Sequence, residues 1–145
     1  MVYLTRKEHF NAAHRLYNPQ WSEEKNAEVF GACANPYYHG HNFELEVTVK
    51  GRPNPETGCV IDLKELSQII RREVTDKLDH RNLNLEIDFL KNKIPSCEVL
   101  IIEIWKILDK ALKNTNTSAR LHSLVLHETS RNIVSYFGEE IEKYA

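Results

Sequence analysis

The sequence predicts an α+β domain in which two strands, two helices and two further strands follow one another as ββααββ. The four strands make one antiparallel sheet, with both helices on one of its faces. Three observations predict it. Apolar and charged residues alternate from Asn42 to Lys50, apolar residues recur at helical spacing after Asp62 and again after Ser96, and two short alternating stretches end the sequence.

Taken in order, YLTRKEHFN begins the first strand. In the second, Phe43, Leu45, Val47 and Val49 fall on one side and Glu44, Glu46, Thr48 and Lys50 on the other, the pattern of a half-buried antiparallel strand. GRPNPETG is a turn cluster, after which Asp62 caps a helix carrying Leu63, Leu66, Ile69, Ile70, Val74 and Leu78 on one side. A second helix starts at Ser96, just after Pro95, and turns Val99, Leu100, Ile104, Leu108 and Leu112 inward. LHSLVLHET and NIVSYF form a closing hairpin. The stretches 16–38 and 79–95 read as long loops, and connections of that length in a compact domain usually bind or catalyse. A sheet covered on one face leaves open edges, which an oligomer pairs.

Length and composition bound the rest. The 145 residues suit a single domain, 1–145, without repeat or linker. A formal charge of -2 provides no basic surplus, so nucleic acid is not an expected partner. Charged residues interrupt every apolar run and MVYLTRKEHF lacks a secretory core, so neither membrane insertion nor export is expected and the cytoplasm is the expected location. Cys33, Cys59 and Cys97 are odd in number and lack CxxC spacing, which fits reduced thiols rather than a disulfide framework.

The chemistry gathers in FGACANPYYHGHNFELEV. In an extended strand His39 and His41 lie on the same side, with Gly40 adding no bulk between them, so the two imidazoles can share one ion. His14, at the end of the first strand, can pair alongside and supply a third. Three protein ligands leave a catalytic zinc one open position, whereas four close a structural site. On the residues alone, Cys33 reads equally as a fourth ligand or as a free thiol beside the ion. The dipeptide Asp79-His80 reads as a cap or turn after a helix. Glu128 shares strand parity with Leu124 and Leu126, the pattern of a buried carboxylate.

FNAAHRL, VFGACANPYYHGHNFELEVTVKG, TGCVIDLKEL, LDHRNLNLE, SCEVLIIEIW and VLHETSRNIVSYFGE, in that order, resemble the 6-pyruvoyl-tetrahydropterin synthase family from near residue 6 to near residue 140. The resemblance implies the T-fold, in which trimers close their sheets into a barrel and two trimers stack as a hexamer with shared active sites. It implies zinc on His14, His39 and His41, with 7,8-dihydroneopterin triphosphate presenting the hydroxyls of its side chain at the open position. Zinc as a Lewis acid would make a neighbouring C–H proton removable. Cys33 matches the family's proton-abstracting thiol. Asp79 and His80 match its relay partners, reaching Cys33 from a neighbouring subunit, and Glu128 matches the carboxylate that anchors the pterin and joins the relay. Ser96 and Cys97 sit at a helix start, where backbone N–H groups favour polar or anionic substrate atoms or simply receive an N-cap, and Arg15, beside His14, reads either as a contact for the triphosphate or as a surface arginine. His9, His122 and His127 receive no role.

The sequence departs from the family at Ala32, commonly lysine, and at Cys97, usually threonine. The related 6-carboxy-tetrahydropterin synthases of the queuosine pathway have a shorter interval between the cysteine and HGH; here five residues separate Cys33 from His39, which favours the pyruvoyl branch. The expected reaction eliminates triphosphate and yields 6-pyruvoyl-tetrahydropterin, toward tetrahydrobiopterin. The alternatives are the carboxy branch, a folate-pathway variant that cleaves the side chain, and a zinc-containing pterin-binding protein without catalysis.

Overall fold

Alternation in the sequence becomes a long two-stranded ribbon. A computed structural model describes residues 1–140, so the last five positions of the expected 1–145 domain lie outside the described residues. Strands β1 (Val2–His14) and β2 (His39–Gly51) pair antiparallel over their whole length, from Val2 opposite Gly51 to His14 opposite His39. Beyond β2 lie β4 (Arg120–His127) and β5 (Ile133–Tyr136), both antiparallel to their neighbours. A register shift at Thr48/Val49 lets β4 bury both Ser123 and Leu124.

The sheet has five strands, not the expected four, in the order β3-β1-β2-β4-β5. The additional β3 (Arg81–Asn82) runs parallel to β1 at Ala12 and Ala13. The amides of His80 and Leu83 donate to the Asn11 and Ala13 carbonyls at 2.7 and 2.8 Å, which satisfies edge groups of β1 that would otherwise face solvent. The stretch 16–38 also differs from expectation, since it contains helix α1 (Glu23–Phe30) followed by a 3₁₀ turn, Gly31–Ala34. Capping makes this polar helix: Ser22 Oγ accepts from Lys25 N, and the buried Asn26 amide donates to the Asn18 and Ser22 carbonyls.

The helix capped by Asp62 covers 63–78 without a break, but it contains a π turn that the sequence did not indicate. It runs as α2 (Leu63–Ile70), a π turn (Arg71–Thr75) and α3 (Asp76–Leu78). Helix α4 (Cys97–Lys113) begins at its Ser96 cap as expected, with Ser96 Oγ accepting from Val99 N. Both long helices cover the sheet face bearing Phe10, Phe43, Leu45, Val47 and Val49, where the Phe10 and Phe43 rings stack at 4.8 Å. None of the described helices is long and apolar enough to cross a membrane.

The opposite face is polar, with Lys7 paired to Glu44 at 3.1 Å and His127 to Glu46 at 2.5 Å. On the covered face one carboxylate, Glu8, is buried beneath α2. Ser67 Oγ donates to it at 2.6 Å, Arg6 Nε at 2.9 Å and Arg71 Nε, from the first residue of the π turn, at 3.1 Å. Burial pushes this carboxyl toward protonation, but the three donors outweigh it and hold the pKa below its ordinary value.

Candidate active site

The apolar stripe of the ribbon ends in imidazoles. Even-numbered positions of β1 and odd-numbered positions of β2 face the helices, so Phe10, Ala12 and His14 meet Phe43, His41 and His39. The His14 ring lies 4.6 Å from that of His39 and 5.2 Å from that of His41, centroid to centroid. One nitrogen from each of the three falls within 4.8 Å of the others.

Their protonation suits a cation. His14 Nδ1 lies 2.8 Å from the Pro95 carbonyl, which can only accept, so Nδ1 carries the proton and Nε2 keeps its lone pair. Burial lowers the His14 pKa, with contributions from His39 and His41. His39 is lowered by burial and then by His41, so both stay neutral at pH 7. His41 Nε2 is buried without a hydrogen-bond partner, a costly arrangement unless something else engages it. Three imidazoles, one with a backbone partner fixing its tautomer and one with an orphaned nitrogen, fit a divalent metal that takes nitrogen ligands. Cys33 is not a member of this group; it sits exposed on the turn after α1.

Glu128 extends the inward parity of Leu124 and Leu126 one residue beyond β4, as its place in the sequence suggested. Its Oε2 lies 3.8 Å from His14 Nε2 and its Oε1 3.8 Å from His41 Nε2. The Cys97 thiol donates to Oε2 at 2.7 Å, and burial, then the Glu128 carboxylate, pushes that thiol well above its usual pKa. Cys97 is therefore a donor here and not a nucleophile. Leu16, Ser96, Cys97, Glu128, Arg131 and Asn132 line a cavity of about 410 Å³ beside this carboxylate. Arg131 is a lining residue that no sequence pattern marks, although it lies in the same HETSRN stretch as Glu128.

Arg15 leaves the end of β1 and turns toward the Cys33 segment, where its Nη2 donates to the Ala34 carbonyl at 3.0 Å and its guanidinium lies 4.0 Å over the Tyr17 ring. Asp79 and His80 form a separate unit. Asp79 Oδ1 accepts from Asn11 N at 2.9 Å, and its Oδ2 lies 2.9 Å from His80 Nδ1. The Asn11 amide, then His80, holds the Asp79 carboxyl below its usual range. His80 has φ 60° and a side chain 76% exposed, so its ring is presented outward. Among the described residues no hydrogen bond or ion pair joins this pair to Cys33 or to the three histidines.

Residues 3–139 match the family model described as 6-pyruvoyl tetrahydropterin synthase. A 6-pyruvoyl tetrahydrobiopterin synthase of Poecilia reticulata is 40% identical over 137 residues, covering 94% of this chain and 90% of that protein. The solved 6-pyruvoyl tetrahydropterin synthase of Caenorhabditis elegans superposes with a TM-score of 0.86 at 34% identity, covering 95% of this chain and 96% of that one. A dihydroneopterin monophosphate aldolase of Pyrococcus furiosus is 32% identical over 133 residues, covering 92% of this chain and 90% of that protein.

Proposed function

This chain belongs to the 6-pyruvoyl tetrahydropterin synthase family, and from that premise we propose that it converts 7,8-dihydroneopterin triphosphate to 6-pyruvoyl-tetrahydropterin with elimination of triphosphate. This is a carbon–oxygen lyase reaction on a phosphate ester, in the synthesis of tetrahydrobiopterin. The observation that carries it is the three-histidine cluster with the Glu128 carboxylate 3.8 Å from two of its rings. This proximity supports a metal-binding group beside a pterin anchor.

His14, His39 and His41 would hold zinc. When bound, zinc supplies Lewis acidity toward the oxygens of the substrate's side chain. Glu128 presents two acceptor oxygens to the amino and ring N–H donors of the pterin, a bidentate match, while Ser96 and Cys97 border that position. Cys33, which is exposed, acts as the thiolate and removes a proton from a carbinol carbon of the substrate. Asp79 orients His80, whose outward ring exchanges that proton with a Cys33 thiol of an adjoining subunit. The reaction needs no external electron acceptor. One carbinol is oxidised to a ketone as the ring C=N takes up two hydrogens, and the second becomes a ketone through departure of triphosphate and tautomerisation.

A shared site requires assembly. In this reading one T-fold domain spans residues 1–145, trimers close their sheets into a barrel, and two trimers make the hexamer. The sheet supports it, because β5 ends the strand order and β3 covers only two residues of the β1 edge. The free state of Cys33, Cys59 and Cys97 supports a reducing compartment, the cytoplasm.

The aldolase relative makes cleavage of the substrate's side chain the second reading. The deciding experiment incubates zinc-loaded protein with 7,8-dihydroneopterin triphosphate and follows triphosphate and pterin products by mass spectrometry. Equimolar triphosphate and 6-pyruvoyl-tetrahydropterin are expected, with loss of turnover in Cys33→Ala. A hydroxymethyl or carboxyl pterin overturns the product assignment, and bound zinc without turnover overturns catalysis.

A further inference from the structure

We infer that Arg15 is a positioning residue that fixes the turn carrying Cys33, and not a contact for the triphosphate. Three segments of the fold meet at this residue. Its own strand ends one position earlier at His14. Its backbone is clasped by Asn84, whose Oδ1 accepts from Arg15 N at 2.9 Å while Nδ2 donates to Arg15 O at 3.0 Å. Asn84 lies just beyond β3 and so belongs to the stretch that follows Asp79 and His80. From this clasped base the side chain reaches the Cys33 turn, where Nη2 donates to the Ala34 carbonyl at 3.0 Å. The next backbone amide, Leu16 N, donates to the Cys33 carbonyl itself at 2.8 Å. Two consecutive carbonyls of the turn are thus held from two consecutive residues.

The guanidinium is poorly placed to serve an anion as well. Its Nη2 is already committed to the Ala34 carbonyl, and its Nε is enclosed by protein atoms rather than open to solvent. One face is occupied by the Tyr17 ring at 4.0 Å, and the Tyr38 ring lies 5.9 Å away. Tyr38 stands at φ 67° immediately before His39, so the same cation lies near the residue leading into the histidine strand. A planar, permanently charged fork stacked on an aromatic ring is the form of side chain that holds backbone carbonyls at fixed spacing. Lysine cannot reproduce it.

The catalytic consequence rests on the proton-abstracting role proposed for Cys33, and the test separates the two. In zinc-loaded Arg15→Lys, kcat for triphosphate release should fall at least about tenfold with KM changed less than about threefold, the signature of lost positioning. In parallel, hydrogen exchange of a peptide spanning 30–38 should accelerate at least about tenfold, while β2 keeps its protection. A raised KM with kcat retained would make Arg15 a triphosphate contact and overturn the inference. Faster exchange throughout the sheet would make it a general stability residue and overturn it equally. If the wild-type protein releases no triphosphate, the proposed function fails, yet the exchange measurement still decides whether Arg15 holds the Cys33 turn.

Discussion

Replacing Glu8 by glutamine tests how a buried charge ties the first strand to the π turn. Glutamine keeps the shape and one acceptor oxygen, so the bond from Ser67 survives, the bond from Arg6 to the same oxygen loses its charge, and the bond from Arg71 is lost because an NH2 group replaces its acceptor. Hydrogen bonds to an ionised group contribute about 1.5–3 kcal/mol, but exposed pairs fall to about 0.2–1 kcal/mol. The Arg6 and Arg71 side chains are 39% and 56% exposed, which puts each near the upper end of the exposed range. Glu8→Gln should therefore cost about 1–2 kcal/mol at pH 7, or roughly 3–8 °C in Tm for a domain of this size. Glu8→Ala also leaves the Ser67 hydroxyl without its acceptor and should cost about 2–4 kcal/mol. The pH dependence is the sharper test. The folded-state pKa of Glu8 lies below its unfolded value, so its stabilisation is complete above the ordinary glutamate range and is lost as pH falls through the folded value. Melts followed by circular dichroism, with chelator present and protomer concentration fixed, should show the gap between wild type and Glu8→Gln closing below about pH 4. A gap that does not narrow as pH falls below the ordinary glutamate range would refute the charge-based account.

Other perturbations probe the site and its supports. At about pH 8 iodoacetamide should modify the exposed Cys33 and Cys59 at least about tenfold faster than Cys97, which is buried against Glu128; equal rates by peptide mapping would contradict the donor role of Cys97. His41→Ala removes one of three imidazoles, and zinc retained after dialysis should drop from about one ion per protomer to under about 0.2, with undiminished retention counting against the cluster. Gly138 has φ +84° and an added Cβ would stand 2.3 Å from Trp105 Cζ2, so Gly138→Ala should lower stability by about 1–3 kcal/mol in denaturant titration. An unchanged midpoint there would mean that the Trp105 ring gives way freely.

What could be read in the sequence follows from what leaves a periodic trace. Strand β2 and helix α4 announce themselves because Phe43 to Val49 alternate and Val99 to Leu112 repeat at helical spacing, each imposed by one continuous apolar face. The approach of His39 and His41 follows from the same parity, and so does the inward turn of Glu128. Helix α1 leaves no such trace, since Asn26 is its only buried residue and its stability lies in hydrogen bonds from polar side groups at its start. Strand β3 is two residues long, too short for any period, and the π turn changes backbone register without changing the apolar pattern. The Pro95 partner of His14 is a backbone carbonyl, and carbonyls carry no residue signature.

That carbonyl couples two parts of the molecule that lie far apart in sequence. It belongs to the residue just before the Ser96 cap, so the ring of His14 and the opening turn of α4 share a single joint. Anything that stiffens the imidazole also quiets the helix end beside the cavity at Glu128, without a lever or hinge between them. Under the proposed function, loading a metal on this imidazole and shaping the cavity's floor become one event, and removing the metal would loosen both together.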